Sequence, residues 1–272
     1  MYRGIRNMDL NLTGKTVVIT GGGTGIGKAT AWEFLREGAN VCILGRSINH
    51  LIEFAKEAEG KGYKLFYKHC DVANRREIEE YALLVYQTFG RLDVWVNNAG
   101  IAIDKPFLEF NDDDFKKIVD INLKAVIDGT QIAASYMKKK HNGGVIVNAS
   151  SFASLIPHVN GVLYGATKAA VSNVTRSTAA ALAPYGIRVV GYIPGMIVTP
   201  ISKNMISLNN EKLLSNISLH RYGQPEDLAK PIVFLCSDAA KYISGCELEV
   251  TGGKFAVQDC AMGWDLAEKR KD

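Results

Sequence analysis

Short apolar runs alternate with longer amphipathic segments along most of the chain, and this alternation restricts the fold more than any other feature. Within each run the apolar residues are consecutive and often β-branched, which is typical of strands buried on both faces of a parallel sheet. The runs lie at 16–20, 41–44, 65–67, 94–96, 145–147, 189–192 and 247–250, and helices are expected at 25–37, 48–59, 75–89, 112–140, 164–183 and 225–236. The sequence therefore predicts an α/β fold: a single-domain, Rossmann-like, doubly wound sheet of about seven mostly parallel strands with helices on both faces.

No polar linker or shift in composition interrupts the alternation, so the 272 residues predict one domain rather than two. We place this domain at 12–253, with an N-terminal extension at 1–11 and a C-terminal tail at 254–272. A segment rich in methionine, isoleucine and leucine, at 196–223, matches no strand. We interpret it as a lid beside the carboxyl edge of the sheet.

Composition excludes several classes of protein. Lysine and arginine number 32 and aspartate and glutamate 28, which gives a net charge of +4 without a clustered basic face and argues against a nucleic-acid partner. No stretch is long and apolar enough to predict a membrane span. The five cysteines are widely spaced and form no C-x-x-C pair, which favours reduced thiols and a cytoplasmic location. The five histidines are scattered without ligand spacing, so no metal site is predicted.

A glycine-rich loop, Thr-Gly-Gly-Gly-Thr-Gly-Ile-Gly at 20–27, directly follows the first strand and leads into an amphipathic helix. Glycines allow the backbone to approach a pyrophosphate closely, and the first N–H groups of the helix attract the anion. The alternative is a tight glycine turn without a ligand. We favour a dinucleotide site with Gly21, Thr24, Gly25, Ile26 and Gly27 as cofactor-binding residues.

The second strand ends at Gly45-Arg46-Ser47, where NAD-binding sites place an acidic residue against the ribose 2′-hydroxyl. A guanidinium at this position can bind a 2′-phosphate through two hydrogen bonds, and no carboxylate repels that phosphate. Arg46 and Ser47 are therefore predicted to favour NADP(H) over NAD(H). A solvated arginine after a strand is the alternative interpretation.

Tyr164 and Lys168 are four residues apart at the start of a predicted helix, which places both side chains on one face. Because an adjacent ammonium favours the phenolate, Lys168 is expected to lower the pKa of Tyr164 and suit it to proton transfer. Ser151 follows the fifth strand at the carboxyl edge, where open α/β sheets hold their ligands.

Together the glycine loop, the turn Asn97-Asn98-Ala99-Gly100 after the fourth strand, Ser151, and Tyr164 with Lys168 resemble the classical short-chain dehydrogenase/reductase family. The likeness covers residues 12–253. It implies that Tyr164 is the catalytic acid/base, that Ser151 hydrogen-bonds the substrate oxygen, and that Lys168 also holds the nicotinamide ribose. It further implies that Asn122 is a fourth catalytic residue, which supports a proton relay through the lysine.

The same resemblance implies contacts beyond the catalytic residues. Cofactor contacts are implied for Asp71, Val72, Asn98, Ala99, Gly100, Pro194, Gly195, Ile197 and Thr199, and substrate contacts for Ser151, Phe152, Tyr164 and Met196. The family also implies a homotetramer, with a homodimer as the smaller alternative.

These residues predict an NADP(H)-dependent enzyme that transfers a hydride between nicotinamide and a ketone or secondary alcohol, while Tyr164 moves the proton. Apolar residues after Ser151 and in the lid favour a bulky apolar substrate, such as a steroid-like or alicyclic hydroxyl compound. The alternative substrate is a 3-ketoacyl thioester of acyl carrier protein. The alternative outside enzymes is a dinucleotide-binding sensor, which the presence of Ser151, Tyr164 and Lys168 disfavours.

Overall fold

The computed structural model describes residues 9–140 and 143–269, so residues 1–8 of the predicted N-terminal extension, residues 141–142, and residues 270–272 of the tail lie outside the described part. The strands are β1 (Thr16–Thr20), β2 (Asn40–Gly45), β3 (Leu65–His69), β4 (Val94–Asn97), β5 (Gly144–Ala149), β6 (Ile187–Pro194) and β7 (Glu247–Val250). The helices are α1 (Gly25–Arg36), α2 (Ile48–Glu59), α3 (Arg75–Phe89), α4 (Asp112–Val119), α5 (Ala125–Met137), α6 (Val162–Leu182), α7 (Lys203–Leu214), α8 (Pro225–Cys236) and α9 (Met262–Glu268).

These strands form one seven-stranded sheet in the order β3-β2-β1-β4-β5-β6-β7. Every neighbouring pair is parallel. The chain begins in the middle at β1, winds to β3 at one edge, and then returns to β4 on the other side of β1. At such a reversal the crossover connections diverge and leave a crevice outside the carboxyl ends of the strands. The predicted fold class is confirmed.

Helices cover both faces of the sheet. On one face Phe34 of α1, Phe54 of α2 and Ile232 of α8 pack into the core, and on the other face Tyr81 of α3 and Ala133 of α5 do so. β1 is buried at all of its positions. Burial on both faces explains why the strands are apolar at consecutive rather than alternating positions.

The single helix expected at 112–140 is divided, so that prediction is wrong in detail. α4 begins with a capping box between Asn111 and Asp114, and a π-helical turn, Asp120–Lys124, separates it from α5. The turn brings the amide of Asn122 onto the backbone of Ile101. Hydrophobic spacing predicts helix on both sides of such a turn and does not register a local widening of the helix.

The predicted lid contains α7, all of whose residues are described and none of which is buried. Its backbone leaves the helical conformation at Asn209. The C-terminal tail returns to this region, where the indole Nε1 of Trp264 donates a hydrogen bond of 2.8 Å to the carbonyl of Ser218. The described part of the tail therefore packs against the lid segment of its own chain.

Candidate active site

A cleft of about 350 Å³ lies at the switch between β1 and β4, where the loops after the strands meet α6. The predicted site residues that line it are Gly21, Thr24, Gly25, Ile26, Arg46, Ser47, Val72, Asn98, Ala99, Gly100, Tyr164, Lys168, Pro194 and Thr199. The lining residues that the sequence did not single out are Gly23, Gly45, His50, Leu51, Cys70, Ile101, Ile121, Ala149, Ser150, Tyr192 and Pro200. Ile201, an apolar residue of the predicted lid, also lines the cleft. Motifs from distant parts of the sequence thus come together in one place.

The glycine loop joins β1 to α1 by a close turn that side chains would obstruct. A Cβ atom at Gly27 would lie 2.4 Å from the carbonyl oxygen of Gly21, and one at Gly21 would lie 3.1 Å from the Cα of Ala99. Within the described chain, Thr24 accepts no capping hydrogen bond on its side chain, and the first turn of α1 holds no acidic residue. The N–H groups of that turn and the positive end of the helix dipole therefore suit a phosphate anion.

Arg46 and Ser47 follow β2, as predicted, and are exposed at the cleft. His50, in the first turn of α2, lines the cleft beside them. That turn, which is fully described, holds no acidic residue. This end of the cleft consequently presents a guanidinium, a hydroxyl and an imidazole, which together suit an anionic group.

Hydrogen bonds fix the turn after β4 to the end of β1. The hydroxyl of Thr20 accepts from the backbone N–H groups of Asn98 and Ala99, each at 2.9 Å. Asn98 Nδ2 donates to the Thr20 carbonyl at 2.9 Å, and its Oδ1 accepts from the hydroxyl of Tyr192 at 2.9 Å. Hydrogen bonds to Thr20 and Tyr192 thus fix the side chain of Asn98, and the turn that it begins places Ala99 and Gly100 at the cleft wall.

Asn122 is fully buried beneath the cleft, and its amide is bonded to the backbone of Ile101. Its Oδ1 accepts from the Ile101 N–H at 2.9 Å, and its Nδ2 donates to the Ile101 carbonyl at 2.8 Å. A Cβ atom at Gly100 would lie 3.3 Å from Asn122 Oδ1 and 3.6 Å from Lys168 Nζ, so both side chains border the same glycine. Asn122 therefore orders the loop that covers Lys168.

Lys168 projects from α6 and is only 4% exposed. Its ammonium donates a hydrogen bond of 2.8 Å to the carbonyl of Ala149 at the end of β5 and lies 5.8 Å from the ring centre of Tyr164. Burial lowers the pKa of Lys168 to about 8 because the charged form loses its hydration. The group is therefore close to losing its proton at physiological pH.

Ser151 and Tyr164 come together at the inner part of the site. Ser151 is buried after β5, and its hydroxyl accepts from the Ala153 N–H at 3.1 Å at the start of a short 3₁₀ turn. Burial raises the pKa of the Tyr164 phenol, a hydrogen bond with Ser151 lowers it by less, and the charge of Asp104 adds to the rise. A phenol in this state keeps its proton at neutral pH.

The expectation that Lys168 lowers the pKa of Tyr164 is therefore wrong for this structure. Burial outweighs other effects on the phenol, and the same burial makes the ammonium of Lys168 itself unfavourable. A protonated Tyr164 is suited to donate a proton to a carbonyl oxygen, whereas removing a proton from an alcohol would require the phenolate.

Some predicted residues do not line the cleft, namely Gly27, Asp71, Asn122, Ser151, Phe152, Gly195, Met196 and Ile197. The carboxylate of Asp71 accepts from the Ala73 N–H at 3.0 Å and so stabilises the turn before α3. Met196 and Ile197 are buried, and Ile197 belongs to the hydrophobic core. Asp71, Met196 and Ile197 therefore contribute to the framework of the site.

Ser150 is the most informative of the missed residues. Its hydroxyl lies 2.8 Å from the hydroxyl of Ser172 and donates to the backbone carbonyl of Lys168 at 3.3 Å, so it joins β5 to the helix that carries the lysine. The sequence could have indicated Ser150 as a site residue, because it follows the carboxyl end of a predicted strand and precedes Ser151.

Among residues 9–140 and 143–269, no group of three or more histidine, cysteine, aspartate or glutamate side chains is arranged to hold a metal ion. The helices of the same part of the chain include none that is long and apolar enough to span a membrane.

Comparison with known proteins places these features in context. The family model described as short chain dehydrogenase matches residues 15–209. The 3-oxoacyl-[acyl-carrier-protein] reductase FabG of Thermotoga maritima is 39% identical over 244 residues, which span 90% of this chain and 99% of that protein.

Solved structures agree in fold. A structure from Beutenbergia cavernae with bound NADP has a TM-score of 0.86 and 33% identity, and the match covers 92% of this chain and 100% of that one. A 7α-hydroxysteroid dehydrogenase with NADH and 7-oxo glycochenodeoxycholic acid has a TM-score of 0.88 and 35% identity, with 92% and 98% of the two chains covered. With its glycine loop, its parallel sheet and its tyrosine–lysine pair, this chain belongs to the short-chain dehydrogenase/reductase family of oxidoreductases.

Proposed function

We propose that the protein is an NADP(H)-dependent oxidoreductase that interconverts a ketone and a secondary alcohol. The observation that carries the proposal is one cleft lined by the glycine loop, by Arg46, and by Tyr164 with Lys168. A dinucleotide sensor would need the glycine loop but would not need a phenol at the cleft wall beside a buried ammonium. The proposal is tested by screening ketones and alcohols with NADP(H) while following the absorbance of the reduced nicotinamide.

The chain's residues fit a dinucleotide at this cleft. A Cβ atom would clash with the backbone at Gly27, Gly21 has a left-handed backbone that favours glycine, and the first turn of α1 offers N–H groups to a pyrophosphate. Thr199 lies over the same loop, because a Cβ atom at Gly25 would be 3.4 Å from its Cγ2. Asn98 and Gly100 border the portion between the loop and Lys168.

The preference for NADP(H) rests on the exposed group of Arg46, Ser47 and His50 after β2. Because the first turn of α2 holds no acidic residue within the described chain, nothing there repels a 2′-phosphate. Solved relatives carry NADP in one case and NADH in another, so the choice depends on this chain's own residues.

Arg46→Ala is expected to reduce the preference for NADPH over NADH by about tenfold or more, because a charge-assisted contact to the 2′-phosphate is lost. Dissociation constants for both cofactors, from quenching of intrinsic fluorescence, provide the measurement. Arg36→Ala, which removes an arginine at the end of α1, is the matched control and should leave the ratio unchanged. An unaltered preference in Arg46→Ala would refute the role of the guanidinium.

When bound, nicotinamide supplies or accepts the hydride. Tyr164 donates its proton to the carbonyl oxygen in the reduction and removes a proton from the hydroxyl in the oxidation. Ser151 offers a second hydrogen bond to the same oxygen and holds it in place. The ammonium of Lys168 lies 5.8 Å from the ring centre of Tyr164, where it can stabilise the charge that develops on the phenol.

Asn122 acts through position in this scheme. Its buried amide holds the backbone of Ile101 beside Gly100, and Gly100 borders Lys168. A proton relay that returns a proton to Tyr164 through Lys168 would pass beside Gly100. Displacement of the Gly100–Ile101 backbone would therefore disturb the relay.

For the substrate we favour a bulky apolar ketone or secondary alcohol, of the steroid-like or alicyclic kind. The support is apolar lining at the lid side of the cleft, including Ile201, and likeness to a hydroxysteroid dehydrogenase. A 3-oxoacyl thioester remains the second candidate because FabG of Thermotoga maritima is 39% identical. Comparing reduction of an alicyclic ketone with that of an acetoacetyl carrier-protein thioester separates the two.

We further propose a homotetramer in a reducing compartment such as the cytoplasm. Phe107, Leu108 and Phe115 expose large apolar side chains near the start of α4, as an interface between copies would require. The five cysteines are free thiols, and Cys246 alone among them is exposed. Sedimentation equilibrium tests the assembly: a monomer would contradict it.

A further inference from the structure

Lys254 is a buried lysine outside the catalytic group. It follows Gly252 and Gly253, whose left-handed backbone turns the chain from β7 towards the lid. A Cβ atom at Gly253 would lie 2.8 Å from the Cβ of Ser218, so the turn packs directly against the lid segment. Lys254 itself is only 7% exposed.

The ammonium of Lys254 lies between two aromatic rings. Its Nζ is 4.8 Å from the ring centre of Phe152 and 4.4 Å from that of Phe255. Phe152 directly follows Ser151 and begins the 3₁₀ turn that Ser151 caps. One aromatic side chain therefore connects this cation to the residue proposed to hold the substrate oxygen.

Within the described chain, the ammonium of Lys254 makes no ion pair with a carboxylate and no hydrogen bond, and its neighbours are two aromatic rings and the thiol of Cys260. Lys168, which is also buried, differs because it donates to the Ala149 carbonyl. Two ring faces attract a cation but accept no conventional hydrogen bond from its three N–H donors. Burial lowers the pKa of Lys254, and the neighbouring Cys260 thiol raises it by less, so the charged form is disfavoured at this position unless an anion binds there.

We propose that Lys254 binds a carboxylate of the substrate, so that the enzyme acts on an apolar keto acid or hydroxy acid. This inference rests on the proposed function. A single ammonium between aromatic rings suits one carboxylate attached to an apolar body, since it supplies one positive charge and apolar walls. A phosphate group is generally held by several donors, such as arginine forks or successive backbone N–H groups, which Lys254 does not provide.

The test uses keto acids, each beside its methyl ester, with oxocyclohexanecarboxylic acid and 7-oxo glycochenodeoxycholic acid as probes. For the wild type with NADPH, kcat/KM should favour the acid over its ester by about tenfold or more, mainly through KM. Lys254→Met keeps the length of the side chain without its charge and should bring the ratio close to unity. Lys254→Arg keeps the charge and should preserve the preference.

Lys241→Met is the matched control, because Lys241 is exposed near the amino ends of the strands. It should retain the wild-type ratio. Circular dichroism checks that Lys254→Met is folded. A folded Lys254→Met variant that keeps the full preference for the acids would overturn the proposal, and Lys254 would then only stabilise the packing of the tail.

If no ketone is reduced by the wild type, the proposed function fails, and calorimetric titration of the same acids into the NADP⁺-saturated protein decides the inference. Binding to the wild type should then be about tenfold or more tighter than to Lys254→Met. Equal binding, or binding to neither, would contradict it.

Discussion

Tyr164→Phe should lower kcat for ketone reduction by about 10²- to 10⁴-fold, the usual contribution of a general acid. Burial raises the pKa of the phenol, so the wild-type hydroxyl is protonated at neutral pH and ready to donate. Phenylalanine keeps the ring that packs in the cleft and removes only the proton donor. The dissociation constant for NADPH should therefore stay close to that of the wild type.

A matched substitution controls for loss of a phenol as such. Tyr242 is fully exposed, and Tyr242→Phe should leave both turnover and NADPH binding unchanged. The pH profile supplies a second readout, because a raised pKa for Tyr164 means that alcohol oxidation should increase with alkaline pH while ketone reduction falls. Turnover in Tyr164→Phe equal to that of the wild type would remove the tyrosine from the catalytic scheme.

Lys168→Met should abolish most of the activity and should also change how stability depends on pH. Burial lowers the pKa of Lys168 in the folded protein from its ordinary value of 10.5 to about 8. Between these pH values the unfolded chain binds a proton that the folded chain has released, so raising the pH favours folding. Relative to Lys168→Met, the free energy of unfolding of the wild type should rise by about 3 kcal/mol between pH 7 and pH 10.5.

Urea unfolding at a series of pH values provides the measurement. Tyrosines and cysteines that titrate in the same window are common to both proteins, so their contributions cancel in the difference. Lys56→Met removes an exposed lysine of α2, and its curve should run parallel to that of the wild type. A constant difference between wild type and Lys168→Met across the window would show that the folded structure does not disfavour the charged lysine.

The fold was predictable because its determinants are local. Consecutive apolar residues such as Val17, Val18 and Ile19 are buried on both faces of the sheet, and parallel strands require this pattern. The glycine loop and the Tyr164–Lys168 pair were also predictable, since their spacing along the chain is the spacing that the function needs.

What the sequence did not reveal depends on three-dimensional contacts. The π turn at Asn122 is held by bonds to Ile101, which is distant in sequence. The pKa of Tyr164 follows from burial, and spacing alone contains no measure of burial. No motif in the sequence marks Lys254. Its contact with Phe152 joins two segments that are distant in sequence, and only the folded structure brings them together.

An isotope label can test whether this chain transfers a hydride from a nicotinamide to a carbonyl carbon while Tyr164 supplies the proton. The most direct measurement uses NADPH carrying deuterium at the transferable position of the nicotinamide ring, with the ketone that the wild type reduces fastest. Mass spectrometry of the alcohol should find deuterium on the carbinol carbon with the wild type and only trace product with Tyr164→Phe. An alcohol without the label would contradict hydride transfer from the nicotinamide, and labelled alcohol formed as fast by Tyr164→Phe would contradict proton donation by Tyr164.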